Sequence, residues 1–282
     1  MRKIVIQLFL IAFISSIFFN FKYLQIKIKN ETIKDIGVDV AKIVYSSEKK
    51  VIKKTTNPPL SISKKKEPEE INNPKNNEEP NPAPYLNQII KRAPNLTDEI
   101  VLTFDDGPSD NTLKIVEILK QYDVKATFFF VGKRIIGKSD IIKKVTEAGM
   151  EIGNHSYNHI DLKNLTKETV LAEIRKTEEV IISSGGEKPV FLRPPAGHYD
   201  WVALEAAKEL NYIFTLWSVH GQDTRKITEK EIASGVIRHT QGGAIVLLHE
   251  TNPKTIQALP VILEGLAEKG LKPVTISELL DL

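Results

Sequence analysis

From about residue 98 onward the sequence predicts an α/β domain, a parallel β-sheet covered by helices, and three observations predict it. Seven short runs rich in β-branched and aromatic residues recur along this part of the chain. The stretches between them are long enough for helices, which parallel strands need as crossovers. The runs are also apolar almost without interruption, as befits strands buried on both faces. Seven strands in this order fit a barrel or an open doubly wound sheet, and periodicity leaves both open.

The elements follow in order. IVLTF (100–104) stops at Asp105, Asp106, Gly107 and Pro108, so a turn separates it from a predicted helix at 111–120. KATFFFV (125–131) precedes a helix at 138–148 that Gly149 ends, and MEIGN (150–154) precedes one at 166–183 that Gly185 ends. VFLR (190–193) leads to a helix at 200–209, and YIFTLW (212–217) to one at 228–239 with Gly242 beyond it. AIVLLH (244–249) leads to a helix at 255–268 closed by Gly270, and KPVT (272–275) is the seventh strand. No spaced-glycine nucleotide fingerprint follows any strand, and SSGGEKP ends a helix instead of opening one.

The front of the chain has a different character. Arg2 and Lys3 precede Ile4 to Phe21, apolar except for Gln7, Ser15, Ser16 and Asn20. That is about the length of a membrane-spanning helix. Large residues crowd its end where a cleavage site would need small ones, so residues 1–23 read as a membrane anchor, with a cleaved signal peptide as the alternative. Residues 24–97 read as a stalk and linker, since Lys53 to Pro94 hold eight of the chain's fifteen prolines among Asn, Lys and Glu. Lys and Arg outnumber Asp and Glu by 17 to 9 in residues 1–97, then fall behind by 22 to 27 in residues 98–282. A mildly acidic domain without a basic, aromatic-interleaved stripe gives no reason to expect a nucleic-acid partner. With no cysteine, disulfides, thiolate ligands and cysteine nucleophiles are all excluded.

Polar residues gather where strands of either architecture converge, at their carboxyl ends. Asp105 and Asp106 end the first run, His155 and His159 follow the third, and Arg193 ends the fourth. Asp223 lies past the fifth and His249 ends the sixth. Adjacent strand residues point to opposite faces, so Asp105 and Asp106 are expected to take different partners. In NHSYNH, a helical turn would put His155 and His159 on one face, four residues apart. Asp106 would complete a set of two histidines and one aspartate, with one position open for water as in catalytic zinc sites. Manganese, iron, cobalt and nickel take the same donors.

In this order TFDDGP (103–108), HSYNH (155–159), RPPAG (193–197), LWSVHGQD (216–223) and LLH (247–249) resemble the polysaccharide deacetylase, or NodB-homology, family, carbohydrate esterase family 4. The resemblance covers about residues 98–282 and implies a distorted (β/α) barrel of about seven parallel strands. It implies removal of N-acetyl or O-acetyl groups from peptidoglycan, chitin or related glycans by a metal-dependent hydrolase. It further implies that Asp106, His155 and His159 bind one divalent ion, zinc foremost. Asp105 would be the catalytic base oriented by Arg193, and His249 the acid paired with Asp223. No serine lies in a G-x-S-x-G setting, so attack by water is the simpler route. A backbone N–H after HSYNH or in RPPAG would stabilise the oxyanion.

The sequence departs from the family's usual pattern at Ala196, where an aromatic is common, at His220, where Asp is common, and at Thr224, where Trp is common. Tyr157, Tyr199, Trp201, Trp217 and Leu247 could replace the lost aromatic surface, and His198 and His220 read as groove-lining or structural residues. The partners implied are an acetylated glycan and, through the first residues, a membrane; no obligate protein partner is inferred. The catalytic domain is expected outside the cytoplasm, anchored or secreted. An amide hydrolase acting on a lipid-linked sugar or small N-acyl compound, and a non-catalytic glycan-binding relative, are the alternatives.

Overall fold

The computed structural model describes residues 81–95 and 97–282. The expected membrane segment at 1–23 and the expected stalk and linker through residue 80 lie outside them. Among the described residues no helix is long and apolar enough to cross a membrane.

Among the described residues nine strands form one sheet: β1 (Ile89–Ile90), β2 (Glu99–Gly107), β3 (Thr127–Phe130), β4 (Glu151–Asn154), β5 (Phe191–Leu192), β6 (Ile213–Thr215), β7 (Val219–His220), β8 (Ile245–His249) and β9 (Lys272–Pro273). Their order is β1-β6-β5-β4-β3-β2-β8-β7, with β9 on β2, and every pairing is parallel. The helices are α1 (Thr112–Gln121), α2 (Gly132–Ile135), α3 (Ser139–Glu147), α4 (Lys167–Ser183), α5 (Trp201–Glu209), α6 (Glu229–His239), α7 (Pro253–Glu268) and α8 (Ile276–Leu279). All seven expected strands and six expected helices are present, with α2 and α8 as additional short helices.

The two further strands explain why the barrel is distorted. β6 and β7 are consecutive pieces of one chain run, interrupted over Leu216–Ser218. The β6 piece pairs with β5, the β7 piece with β8, and β8 with β2, so the sheet is a curled half-barrel whose ends are joined through that run and through the bridge from Arg92 to Ala244. β1 pairs with the free edge of β6, and Ala93 N–H donates to Gly243 O at 2.7 Å. Ile90 and Ala93, ahead of residue 98, are buried in the sheet's core. Two-residue pairing carries too little periodicity to be read from a proline-rich stretch.

Alternation along the strands sorts the core into two sides. Ile100, Leu102 and Phe104 of β2 pack outward with Phe128, Phe130, Val246 and Leu248 beneath α1 and α7. Val101 packs inward with Phe129, Phe191, Ile213 and Ile245. Two residues on from Phe191 comes Arg193, four from Val101 comes Asp105, and four from Ile245 comes His249. The strand period therefore aims these three polar residues into the mouth of the half-barrel. Helix starts are fixed locally: Thr228 and Glu231 form a reciprocal capping box on α6, and Asp200 Oδ1 accepts from Ala203 N–H at the start of α5.

Candidate active site and metal centre

The first corner of the site is the end of β2. Register with β3 shifts between Asp105 and Gly107, and Asp106 lies in the left-handed region at φ 74°. This bulge cancels the alternation that would send adjacent side chains to opposite faces. As a result Asp105 Oδ2 and Asp106 Oδ1 both stand 3.7 Å from His155 Nε2. The expectation of separate partners is thus corrected in part, since the two carboxylates share one histidine as neighbour. Gly107 closes the corner against β8, where an added Cβ would lie 2.3 Å from the buried Glu250 carboxylate.

The segment after β4 is not a helical turn, which corrects the geometry expected of HSYNH. It is an irregular loop with Ser156 at φ 60° and His159 at φ 59°. The histidines still converge because the loop is bonded along both edges. Ser156 and Tyr157 carbonyls accept from Gly132 and Lys133 N–H at 3.0 and 2.9 Å. On the other edge Glu173 accepts from Tyr157 N–H at 2.9 Å, Asn158 N–H at 2.8 Å and Asn158 Nδ2 at 2.6 Å. Glu173 escaped sequence reasoning. Its signal was a charge on the buried stripe of α4, between Val170 and Ile174 on one side and Thr177 on the other.

His155 is fixed in tautomer as well as position. Its Nδ1 lies 2.7 Å from the Arg193 carbonyl, which can only accept, so Nδ1 carries the proton and Nε2 of the neutral ring presents a lone pair. Burial, opposed by the charges of Asp105 and Asp106, lowers its proton affinity and keeps the ring neutral. His159 Nε2 is 2.8 Å from Asp106 Oδ1. Ligand atoms of Asp106, His155 and His159 all lie within 4.8 Å of one another. Burial works to raise the Asp106 pKa, yet the hydrogen bond from His159 and the nearby histidine charges bring it to about 2, so the residue is a carboxylate at neutral pH. Two imidazole nitrogens and one ionised oxygen are a donor set that fits a divalent transition metal ion.

Arg193 is wholly buried and ties the strands together. Its Nη1 donates to Asp105 Oδ1 at 2.7 Å and to Thr103 Oγ1 at 2.6 Å, and its Nη2 donates to the Leu216 carbonyl at 3.0 Å. The Phe129 ring lies beneath the guanidinium, 4.0 Å from ring centroid to Cζ. Parallel pairing sets Asp105 beside His249. His249 Nδ1 meets Asp223 Oδ1 at 2.9 Å, while Asp223 Oδ2 accepts from His249 N–H at 2.6 Å and Thr255 Oγ1 at 2.7 Å. Burial alone would lower the His249 pKa, but the bond and charge of Asp223 raise it above the ordinary imidazole value.

All seven residues expected from the sequence therefore lie at the carboxyl ends of the strands. Around them, Trp217 covers Gly197 so closely that an added Cβ would sit 2.7 Å from the indole, and Ala196 holds φ 55°. Tyr199 packs edge-on against Phe214, Leu247 is buried, and Trp201 is 70% exposed, so the aromatic surface beside RPPAG is supplied by Trp217. His198 pairs with Asp161 at 2.8 Å on the surface. His220 is exposed beside Trp217.

Residues 92–215 match the family model of polysaccharide deacetylase. Two peptidoglycan-N-acetylglucosamine deacetylases of Bacillus cereus are each 36% identical to the chain. One match runs over 183 residues, 63% of this chain and 66% of the relative. The other runs over 199 residues, 68% of this chain and 92% of the relative. Among solved structures, a pseudoenzyme of carbohydrate esterase family 4 from Bacillus anthracis matches with a TM-score of 0.65 at 31% identity, over 68% of each chain. Since that family includes an inactive member, shared ancestry and retained chemistry are separate questions. On ancestry, sequence and architecture agree: this chain belongs to the polysaccharide deacetylase family.

Proposed function

We propose that the chain is a metal-dependent hydrolase that removes N-acetyl groups from an N-acetylglucosamine-containing polysaccharide, peptidoglycan foremost. The observation that carries this reading is the gathering of three convergent ligands, an Arg193-bound carboxylate and an Asp223-bound imidazole at one strand-end mouth. The Bacillus cereus relatives act on peptidoglycan N-acetylglucosamine, which supports the choice of glycan. Asp106, His155 and His159 would hold the ion, zinc by donor preference; when bound, it supplies a Lewis acid for the acetyl carbonyl and lowers the pKa of water.

The protein's own groups do the rest. Asp105 takes a proton from the attacking water, and Arg193 holds that carboxylate by one oxygen so that the other faces the ligands. For the oxyanion, the RPPAG loop offers one free donor. Arg193 N–H donates to Asn154, Gly197 N–H to Pro194 and His198 N–H to Pro195, while Pro194 and Pro195 have no N–H. The Ala196 N–H remains, and we assign it that role. Within HSYNH, the N–H groups of Ser156, Tyr157 and Asn158 are already committed to Asn154 and Glu173. His249 gives its Nε2 proton to the departing amine, and Asp223 keeps it charged and oriented.

We further propose that residues 81–282 are the catalytic unit, that the stretch before it is a tether, and that residues 1–23 hold the unit to the outer side of the membrane. The test is acetate release from N-acetylated peptidoglycan and from chitooligosaccharides by metal-stripped protein reloaded with zinc, cobalt, manganese, nickel or iron. Acetate is expected with zinc on peptidoglycan. No acetate with any metal would show the chain to be a non-catalytic relative.

A further inference from the structure

Protonation of the leaving amine depends on Asp223, and Asp223 is held from outside the strand ends, by the first turn of α7. Asn252 caps that helix: its Oδ1 accepts from Lys254 N–H at 3.0 Å, while its Nδ2 donates to the Asp223 carbonyl. Further into the turn Thr255 is wholly buried, with its Oγ1 2.7 Å from Asp223 Oδ2. A carboxylate can only accept, so the hydroxyl proton of Thr255 points at Asp223. Asp223 is wholly buried as well. Among the described residues, its carboxylate bonds to nothing but His249 and Thr255.

These bonds divide the two oxygens. Oδ1 meets His249 Nδ1 at 2.9 Å, whereas Oδ2 accepts from the His249 N–H at 2.6 Å and from Thr255. The carboxylate plane therefore cannot turn without breaking a buried hydrogen bond, and Oδ1 stays in line with the imidazole. Burial works against the Asp223 charge, while the bonds from His249 and Thr255 favour it. Thr255 touches neither the ligand set nor Asp105, so its influence on the site runs through Asp223 alone. Resting on the deacetylase reading above, we propose that Thr255 is a positioning residue: through Asp223 it fixes the orientation and tautomer of His249, and with them delivery of the proton to the departing amine.

The test uses zinc-loaded, detergent-solubilised full chain carrying Thr255→Val, which keeps the shape and removes the hydroxyl, or Thr255→Ser, which keeps the hydroxyl. Acetate release is measured on an N-acetylglucosamine tetrasaccharide, whose amine leaves only when protonated, and on 4-nitrophenyl acetate, whose phenolate leaves without a proton. Thr255→Val is expected to lose about tenfold or more in kcat on the amide, with KM, ester rate and zinc affinity each within about twofold of wild type. Thr255→Ser should stay within about threefold of wild type on the amide. In nitrogen-15 spectra of the neutral His249 ring, the wild type should carry its proton on Nδ1, and Thr255→Val should show a mixture of both tautomers. If Thr255→Val does not fold, Thr255→Ala takes its place with the same expectations. Equal losses on amide and ester, wild-type amide turnover or an unchanged tautomer in the folded variant overturns the proposal, as does failure of Thr255→Ser to keep the amide rate. Wild-type protein that releases no acetate from peptidoglycan or the tetrasaccharide, alongside the expected change of tautomer, would sink the deacetylase reading and leave the hold of Thr255 on His249 standing.

Discussion

Glu173→Ala removes the carboxylate that bonds the outer edge of the histidine loop, and the cost can be worked from its three contacts. The Tyr157 and Asn158 N–H groups lose the acceptor of two partly buried bonds, at about 1–3 kcal/mol each. The Asn158 side chain can turn to water and adds little. The metal-free protein should lose about 2–6 kcal/mol, a large part of the roughly 5–15 kcal/mol that keeps a domain folded. Zinc affinity should fall by about 10–100-fold, as when outer partners of metal ligands are removed. Glu173→Gln keeps one oxygen for both backbone donors, so its loss should be about 1–2 kcal/mol. Urea unfolding of the metal-free protein gives the first quantity, and zinc competition with a chromophoric chelator the second. Glu179→Ala, on the exposed face of the same helix, should change neither. Wild-type zinc affinity in folded Glu173→Ala would refute the idea that this carboxylate sets the ligand geometry.

Four shorter predictions follow from the same structure. Asp106→Asn should weaken zinc binding at least about tenfold, whereas Asp105→Asn should keep the metal and lose turnover; metal content by mass spectrometry and acetate release on the same samples separate them. Asp223→Asn should shift the alkaline limb of the pH–rate profile to lower pH, because Asp223 raises the His249 pKa; the stability His249 contributes, present below about pH 6.5 and lost as pH rises through its raised pKa, should shrink too. Burial pushes the Glu250 pKa up to about 7 despite the Thr112 hydroxyl bond at 2.7 Å, so the folded state holds an extra proton between pH 4.5 and about 7. Wild-type stability should thus fall as pH rises through that window, and Glu250→Gln should flatten the fall in a urea series at pH 5 and 8. Lastly, residues 98–282 alone should be less stable than residues 81–282 by about 3 kcal/mol or more, since β1 takes with it buried Ile90 and Ala93 and two ladder bonds. Equal unfolding midpoints for the two fragments would place the domain boundary back at residue 98.

Most of the fold was legible because its strands are long apolar runs and its helices start on caps and end on glycines. IVLTF and AIVLLH, the two central partners, could hardly be read otherwise. What escaped has a common cause. β1 and β7 are two residues each and belong to no apolar run of their own, β1 lying in the proline-rich stretch and β7 just past YIFTLW, and they are strands only because a neighbouring strand offers an edge. The site was legible as residue types at strand ends, while its geometry was not. Nothing in DDGP announces a bulge that swings Asp106 round to share His155. Nothing in HSYNH says that two left-handed residues replace a helical turn. Glu173 was hidden for another reason: helix periodicity marks it as buried, but its partners are backbone groups, which sequence does not distinguish.

The Arg193–Asp105 pair has a consequence for how such a site can decay. Both are buried, and removing either leaves an unpaired charge inside the barrel, at about 3–5 kcal/mol. Asp106 and His159 stand at the open rim and can be lost at little cost to the fold. Random drift in a lineage freed from selection for activity would therefore erase the ion's ligands first. Asp105 and Arg193 would persist long afterwards as a structural fossil, held by the fold whether or not the site still works.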